Sequence, residues 1–323
     1  KTYLVLGHKI DAVKAYLGKG YDIVEQKKLL GTADAVKRVQ RRLSSYRGDV
    51  LILCGDTPLI RKSMIKALIR KHRKSQAHLT VLTAVVHDPQ GYGRIIRDTK
   101  GRMSAIREDK DAVGFERNIA EINVGVYCVK SKSLFEGLKG VGLNKKKREY
   151  YLTDIVETFV EKGLKVETIE TEDPSEGVGI NTREDLAKAA EILRQRTLKE
   201  FMLQGVTIID PNLTFIDASA KIGKDTVIRP FTYIESDVKI GAACVIGPFA
   251  HLRQGTKLGN HVEVGNFTEI VRTKVGDRTL MKHFSYLGDA VVGNGANIGA
   301  GTVTANFDGA EKIATTTNGI SLN

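Results

Sequence analysis

Residues 232–265 read TYIESDVKIGAACVIGPFAHLRQGTKLGNHVEVG, and every sixth residue is aliphatic: Ile234, Ile240, Ile246, Leu252, Leu258 and Val264. The period runs back through Ile228 and Ile222 to Ile216 and forward to Ile270. It then slips by one residue to Val275, Met281 and Leu287, and slips again to Val292 and Ile298. An α-helix repeats its face every 3.6 residues and a half-buried strand every two, so neither accounts for ten aliphatics at a spacing of six. A hexapeptide period describes a parallel β-helix. Short strands form the flat faces of a prism, and each repeat turns an aliphatic inward onto the neighbouring coils.

The 200 residues ahead of this stretch keep a different rhythm. Strands are expected at Tyr3–Leu6, Asp22–Val24, Asp49–Cys54, Leu79–Val86, Ile122–Val129 and Val166–Ile169, with a hairpin around Ile95–Ile106. Helices are expected at Lys9–Leu17, Ala33–Tyr46, Ser63–Lys74, Leu152–Val160 and Arg183 to about Leu203. Strands rich in Val, Leu and Ile between helical stretches predict a mostly parallel sheet covered by helices on both faces. The domain plan is therefore an α/β domain over 1–182, a linker helix over 183–204 and an all-β prism over 205–323.

Charge divides at the same place. The 323 residues carry 50 Lys and Arg against 38 Asp and Glu, yet residues 201–323 hold 11 of each sign. The whole surplus of +12 thus belongs to the first 200 residues and favours anionic ligands there. A nucleic-acid role is disfavoured, because Lys145–Arg148 and Arg70–Lys74 lack interleaved aromatics and any recognisable binding motif. No apolar run is long enough for a membrane span, and no secretory leader is visible. Three widely spaced cysteines, Cys54, Cys128 and Cys244, make neither a disulfide framework nor a zinc knuckle. A soluble cytoplasmic protein is the expectation.

Asp56 lies just past an apolar strand in a turn closed by Pro58, at the carboxyl edge where α/β sheets bind ligands. A carboxylate there suits Mg²⁺, a hard ion that prefers oxygen ligands and substrate phosphates. In the second region His283 is suited to act as a base in transfer of an acyl group to an amine. Arg253, Tyr286, Asn297, Asn306 and Lys312 are the polar side chains interspersed among the aliphatics around it.

Several segments carry a family likeness. They are Gln26 with Leu30-Gly31-Thr32-Ala33, Cys54-Gly55-Asp56-Thr57-Pro58-Leu59, Gly91-Tyr92-Gly93-Arg94-Ile95, and Glu108-Asp109-Lys110-Asp111. Glu121-Ile122-Asn123-Val124-Gly125, Tyr150-Tyr151-Leu152-Thr153-Asp154, Gly179-Ile180-Asn181 and Lys282-His283-Phe284-Ser285-Tyr286-Leu287-Gly288-Asp289 complete the set. With these the chain resembles the bacterial bifunctional N-acetylglucosamine-1-phosphate uridylyltransferases and glucosamine-1-phosphate N-acetyltransferases, over practically its whole length. That family makes UDP-N-acetylglucosamine for cell-wall and envelope polysaccharides.

The resemblance implies a Rossmann-like nucleotidyltransferase domain followed by a left-handed parallel β-helix that forms homotrimers, with Mg²⁺ as cofactor and UTP and acetyl-CoA as co-substrates. It implies Asp56 and Asn181 as magnesium ligands. Gln26, Gly31 and Thr32 would contact the uracil side, and Gly93, Glu108, Asn123, Thr153 and Asn181 the rest of the sugar nucleotide. It implies His283 as the catalytic base of acetyl transfer. Arg253 and Lys312 would grip the sugar phosphate, Tyr286 and Asn297 the glucosamine, and Asn306 and Ala300 would border the acceptor and acetyl-CoA.

Two positions depart from the family pattern: Val271 replaces a usual phosphate-binding Lys, and Phe307 a usual Tyr. The family also places a glycine-rich triphosphate loop ahead of the segment matched by Lys1 and further acetyl-CoA-binding coils after Asn323. The chain therefore reads as truncated at both ends, with one or both half-reactions impaired. The alternatives are a single-function hexose-1-phosphate nucleotidyltransferase with a structural β-helix, and a non-catalytic oligomerising remnant.

Overall fold

Strand β1 (Tyr3–Leu6) pairs in parallel with β2 (Asp22–Glu25) across helix α1 (Ile10–Leu17), and α2 (Thr32–Arg38) follows. The computed structural model describes residues 1–144, 148–307 and 309–310, and the backbone of 315–317. It divides into two compact units, Lys1–Ala189 and Ala190–Asn323.

The main sheet of the first unit is built from β3 (Asp49–Ile52), β4 (Leu79–Val85), β5 (Arg94–Arg97), β6 (Met103–Arg107), β7 (Glu121–Lys130) and β8 (Val166–Glu170). Helix α3 (Lys62–Ser75) joins β3 to β4, while α4 (Ser131–Gly137) and α5 (Ile155–Glu161) precede β8. Strands β3, β4 and β8 run one way, as a helix crossover requires, and β4 pairs β8 in parallel. The ten-residue β7 runs against them, antiparallel to β4 on one edge and to β3 and β5 on the other. The sheet is therefore mixed, where the sequence predicted mostly parallel. The physical reason lies in the connections: β7 follows the β5–β6 hairpin, so it enters from the opposite end and slots between two strands that α3 had left a strand's width apart.

Alternation along β7 sets up three layers. Ile122, Val124, Val126 and Cys128 face Leu68 of α3, whereas Tyr127 and Val129 face α4 and α5 with Leu134, Ile155 and Phe159. The expected helix over Ala33–Tyr46 is shorter than predicted: α2 stops at Arg38 and passes into a 3₁₀ turn, Gln40–Leu43. Helix α6 (Arg183–Leu203) closes the α/β region. Its start carries a reciprocal cap in which Asp185 Oδ2 accepts from the Thr182 N–H (2.8 Å) and the Thr182 hydroxyl oxygen accepts from the Asp185 N–H (3.1 Å).

In the second unit every short strand pairs in parallel with the strand one coil on, giving three faces. One face stacks Thr214–Ile216, Thr232–Ile234, His251–Leu252, Thr268–Val271 and Ser285–Gly288. Ile228, Ile234, Ile246, Leu252, Val264, Ile270, Met281 and Leu287 are at most 1% exposed, so the period-six aliphatics form the core.

Two residues before each aliphatic stands a second inward column, which the sequence reading did not single out. It holds Thr226, Cys244, Val262, Thr279 and Ala296 at one corner, and Thr232, Ala250 and Thr268 at another, all buried. These side chains are small because the prism narrows there. The threonine hydroxyls satisfy themselves on backbone: Thr226 and Thr279 donate to the carbonyls of Gly241 and Gly293, both at 2.9 Å. The predicted slips are corner deletions. The 18-residue spacing of paired rungs drops to 17 after Val271 and stays so after Gly288, where Arg272 and Asp289 take left-handed φ of 47° and 50°.

Candidate functional site

The first group of predicted residues is drawn together by backbone pairing between two distant segments. The Ala33 N–H donates to the Tyr150 carbonyl (3.0 Å), the Tyr150 N–H to the Leu30 carbonyl (2.7 Å), and the Leu152 N–H to the Thr32 hydroxyl (3.0 Å). Gly31 sits in that seam at φ 94°, and a Cβ there would come within 2.5 Å of the Tyr150 carbonyl oxygen, so only glycine fits. The side-chain amide of Gln26, which follows β2, donates to the Gly31 carbonyl (3.0 Å) and to Asp34 (2.9 Å). Asp34 is itself held by Arg38.

Across the seam the Thr153 hydroxyl donates to Glu108 Oε1 (2.7 Å). Burial pushes the Glu108 carboxyl above its ordinary range, and the Thr153 hydrogen bond only partly offsets this. Gly93 precedes β5, and its carbonyl accepts from the Asn123 N–H (2.8 Å); an added Cβ would lie 2.8 Å from Ile106. The Asn123 amide donates to the buried Tyr127 hydroxyl (2.7 Å) and accepts from the Gly125 N–H (3.0 Å). Asp56 lies beyond β3, and its carbonyl accepts from the Ile180 N–H (2.8 Å), which sets Asn181 on the adjoining backbone. Cys54 links these groups. Its thiol is pushed up to about 11, first by burial and then by the charges of Asp56 and Glu108.

Sequence reasoning missed three contributors here. Asp154 is raised from 3.8 to about 6 by burial and by Glu108 and Glu157; its place beside Thr153 was the available signal. Tyr127 seats Asn123. Glu176 is fully buried, and its Oε1 accepts from the Arg61 backbone N–H (3.0 Å) and guanidinium (2.6 Å) while Oε2 accepts from Thr171 (2.5 Å). It thereby ties the segment after Asp56 to the turn leading into Asn181, a long-range contact that no local pattern reveals.

The second group lies on and beside one face of the β-helix. Arg253 leaves the corner after His251–Leu252 and donates to Glu269 Oε1 (2.8 Å). Glu269 stands in register with Tyr286 one coil on. Tyr286 and Asn306 crowd together over Gly288, where a Cβ would collide with both side chains. The buried Asn306 amide also donates to Asp289 (2.6 Å), which holds the Arg272 guanidinium with two bonds of 2.5 and 2.7 Å. His283 stands exposed at the corner preceding Ser285–Gly288, and its carbonyl accepts from the Thr268 hydroxyl (3.0 Å). Ala300 is exposed in a turn one coil on, where the Gly301 N–H donates to the Phe284 carbonyl (2.8 Å). Asn297 is exposed and its Leu280 bridge continues a neighbouring face.

Arg253, Tyr286 and Asn306 are thus brought to one stretch of surface, with His283 and Ala300 at its bordering corner. Lys312 lies outside the described residues. Val271 is buried at 2% exposure and offers nothing to a ligand. The tight corner does redirect Arg272, but Asp289 engages it.

Residues 8–193 match the family described as nucleotidyl transferase, and residues 219–254 and 237–272 match the bacterial transferase hexapeptide family of six repeats. The chain is similar to the Bifunctional protein GlmU of Pelotomaculum thermopropionicum, with 42% identity covering 98% of this chain and 76% of the relative. The Bifunctional protein GlmU of Acetivibrio thermocellus gives the same identity and coverage. That of Listeria monocytogenes is 36% identical, again over 98% of this chain and 76% of the relative.

Proposed function

Since the chain belongs to the GlmU family of bifunctional transferases, we propose that it makes UDP-N-acetylglucosamine through two half-reactions run on separate domains. The observation that carries this reading is one continuous likeness over 98% of the chain, spanning both a nucleotidyltransferase region and a left-handed hexapeptide β-helix. We assign 1–182 to the first domain, 183–204 to a linker helix and 205–323 to the second.

In acetyl transfer the amine of glucosamine 1-phosphate attacks the thioester carbonyl of acetyl-CoA. The C–N bond forms, the C–S bond breaks and the thiol of CoA leaves. His283 takes the proton the amine must shed, a role open to an exposed imidazole beside the polar surface of Arg253, Tyr286 and Asn306. Arg253 meets the sugar phosphate, exchanging part of its bond to Glu269 for the new anion. Tyr286 and Asn297 hold the sugar, Asn306 and Ala300 border the acyl donor, and Lys312 is assigned to the phosphate by the family likeness alone. With Val271 buried and Arg272 engaged, Arg253 carries more of the phosphate recognition among the described residues.

In uridylyl transfer a phosphate oxygen of N-acetylglucosamine 1-phosphate attacks the α-phosphorus of UTP, and the bond to the β-phosphate breaks to release pyrophosphate. Gln26, Gly31 and Thr32 take the uracil side, while Gly93, Glu108, Asn123 and Thr153 take the sugar. Asp56 and Asn181 fit Mg²⁺: they offer two hard oxygen ligands on adjoining backbone, leaving positions for water and phosphate oxygens, as this ion prefers. Bound there, the ion supplies charge neutralisation at the phosphates.

Exposed aromatics on the β-helix support self-association as a homotrimer. Phe231, Phe249 and Phe267 stack at 4.7 and 5.1 Å while remaining 43–65% exposed. The three cysteines are free thiols, which fits a place in the reducing cytoplasm. The test is a paired assay of both half-reactions with Asp56→Ala and His283→Ala. Each substitution is expected to abolish one activity and spare the other. Loss of both together, or of neither, overturns the assignment.

A further inference from the structure

The opposite end of the first unit's sheet carries a cluster that neither half-reaction uses. Helix α3 ends in Arg70-Lys71-His72-Arg73-Lys74, and Gln76 in a left-handed conformation turns the chain into β4. His72 is 1% exposed, and its Nδ1 lies 2.9 Å from the Thr80 hydroxyl. Its Nε2 is 3.5 Å from Asp49 Oδ1 but makes no hydrogen bond, one of only three such orphaned buried side-chain atoms among the described residues. The residue borders a cavity of about 490 Å³ lined by Asp49, His72, Arg73, Gln76, His78 and Lys130.

The protons in this cavity follow from its neighbours. A lone pair on Nε2 facing a carboxylate oxygen would be repelled, so we place the ring proton on Nε2 and let Nδ1 accept the Thr80 hydroxyl hydrogen. Burial lowers the pKa of His72, the facing Asp49 carboxylate opposes that shift, and the charges of Lys130 and Arg73 add to it; the Nε2 hydrogen is directed at Asp49. His78 accepts the Lys165 N–H on Nδ1 (3.3 Å), so its proton also sits on Nε2. Lys130 spends one ammonium hydrogen on the Gln76 carbonyl (3.3 Å) and keeps two. Arg73 neutralises Asp49 through Nε (2.9 Å), leaving its terminal nitrogens to donate. Asp49 is the only anion lining the cavity; everything else presents donors or positive charge.

We infer that this cavity is a second anion site, built to take a tetrahedral oxyanion of the phosphate type between His78, Lys130 and Arg73, while His72 and Arg73 hold Asp49. A divalent cation would face two fixed positive charges with a single carboxylate already paired, and no group of three metal-type ligands stands among the described residues. The site is separate from the nucleotide-sugar residues. Asp49 opens β3 and Lys130 ends the antiparallel β7, whereas Cys54 and Asn123 lie towards their other ends, roughly 16 and 23 Å away at about 3.3 Å per residue.

The experiment titrates the intact chain with inorganic phosphate at constant ionic strength, chloride replacing it in the control, and reads the His78 ring resonance by NMR. A saturable shift with phosphate and none with chloride is expected. Lys130→Ala should weaken binding at least fivefold, and Arg73→Ala likewise. Lys130 is partly exposed, so its substitution keeps the test readable even if His78→Gln fails to fold. A drift that follows ionic strength alone, or unchanged binding in Lys130→Ala, overturns the site. Glycerol phosphate forms the second arm: saturation by it as well supports a phosphate group carried on a larger ligand, and saturation by inorganic phosphate alone supports the free ion.

Discussion

His283 and Asp154 illustrate how differently single side chains declare themselves. His283 could be proposed from sequence because its segment, from Lys282 to Asp289, is distinctive. His283→Gln keeps a polar group of similar reach but removes the proposed base, so acetyl transfer should fall by roughly 10²–10⁴-fold with uridylyl transfer unchanged. Rates of both half-reactions on one protein sample check this. Asp154 was not legible, because its shift comes from burial and from charges brought up by the fold. A carboxyl raised from 3.8 to about 6 in the folded chain favours its protonated form there. Its stabilising contribution is full below about pH 4 and is lost as pH rises through 6. Asp154→Asn should therefore gain melting temperature relative to the parent between pH 4 and pH 7, and equal melting differences at both ends would refute the shift. Glu176 makes a third case. Glu176→Ala strands the Arg61 N–H and the buried Thr171 hydroxyl, at a cost of roughly 1–3 kcal/mol measurable by urea unfolding.

At the scale of elements, the aliphatic column was readable and its companion was not, for a chemical reason. Ile, Leu and Val are conspicuous, whereas Thr226, Cys244, Val262, Thr279 and Ala296 share only small volume, so no single residue type announces the second column. Ile246 is fully buried between coils that cannot collapse independently, so Ile246→Ala should cost about 2–5 kcal/mol by denaturant unfolding. Val291 on an outward position is 42% exposed, and Val291→Ala should cost far less. Most helices and strands of the α/β region were placed by local pattern, but α4, the end of α2 and the strand directions were not. Buried on both faces over Val126–Val129, β7 reads from Val124 on as an apolar run, and nothing in such a run tells which way it enters the sheet. The seam of Leu30–Ala33 with Tyr150–Leu152 was equally hidden, since its partners are more than a hundred residues apart.

At the scale of the whole molecule, the surface of the β-helix carries an outward ladder of aromatic rings. Phe231, Phe249 and Phe267 hold left-handed φ of 56–61°, a conformation costing a side-chain-bearing residue about 1–2 kcal/mol. The backbone hydrogen bonds between coils, from the Phe231 N–H to Leu213 and from the Phe267 N–H to Phe249, offset that cost and leave the rings outward. Phe249→Ser should loosen self-association, read as a fall in mass by sedimentation at micromolar concentration with the circular dichroism spectrum retained; an unchanged mass would separate the ladder from assembly. The shortened corners at Arg272 and Asp289 have a consequence of another kind. They alter what the surface presents while the inward columns continue past them undisturbed. A repeating scaffold can thus acquire an individual binding surface by losing one residue at a bend, and lineages of such proteins are free to revise their specificity without renegotiating their cores.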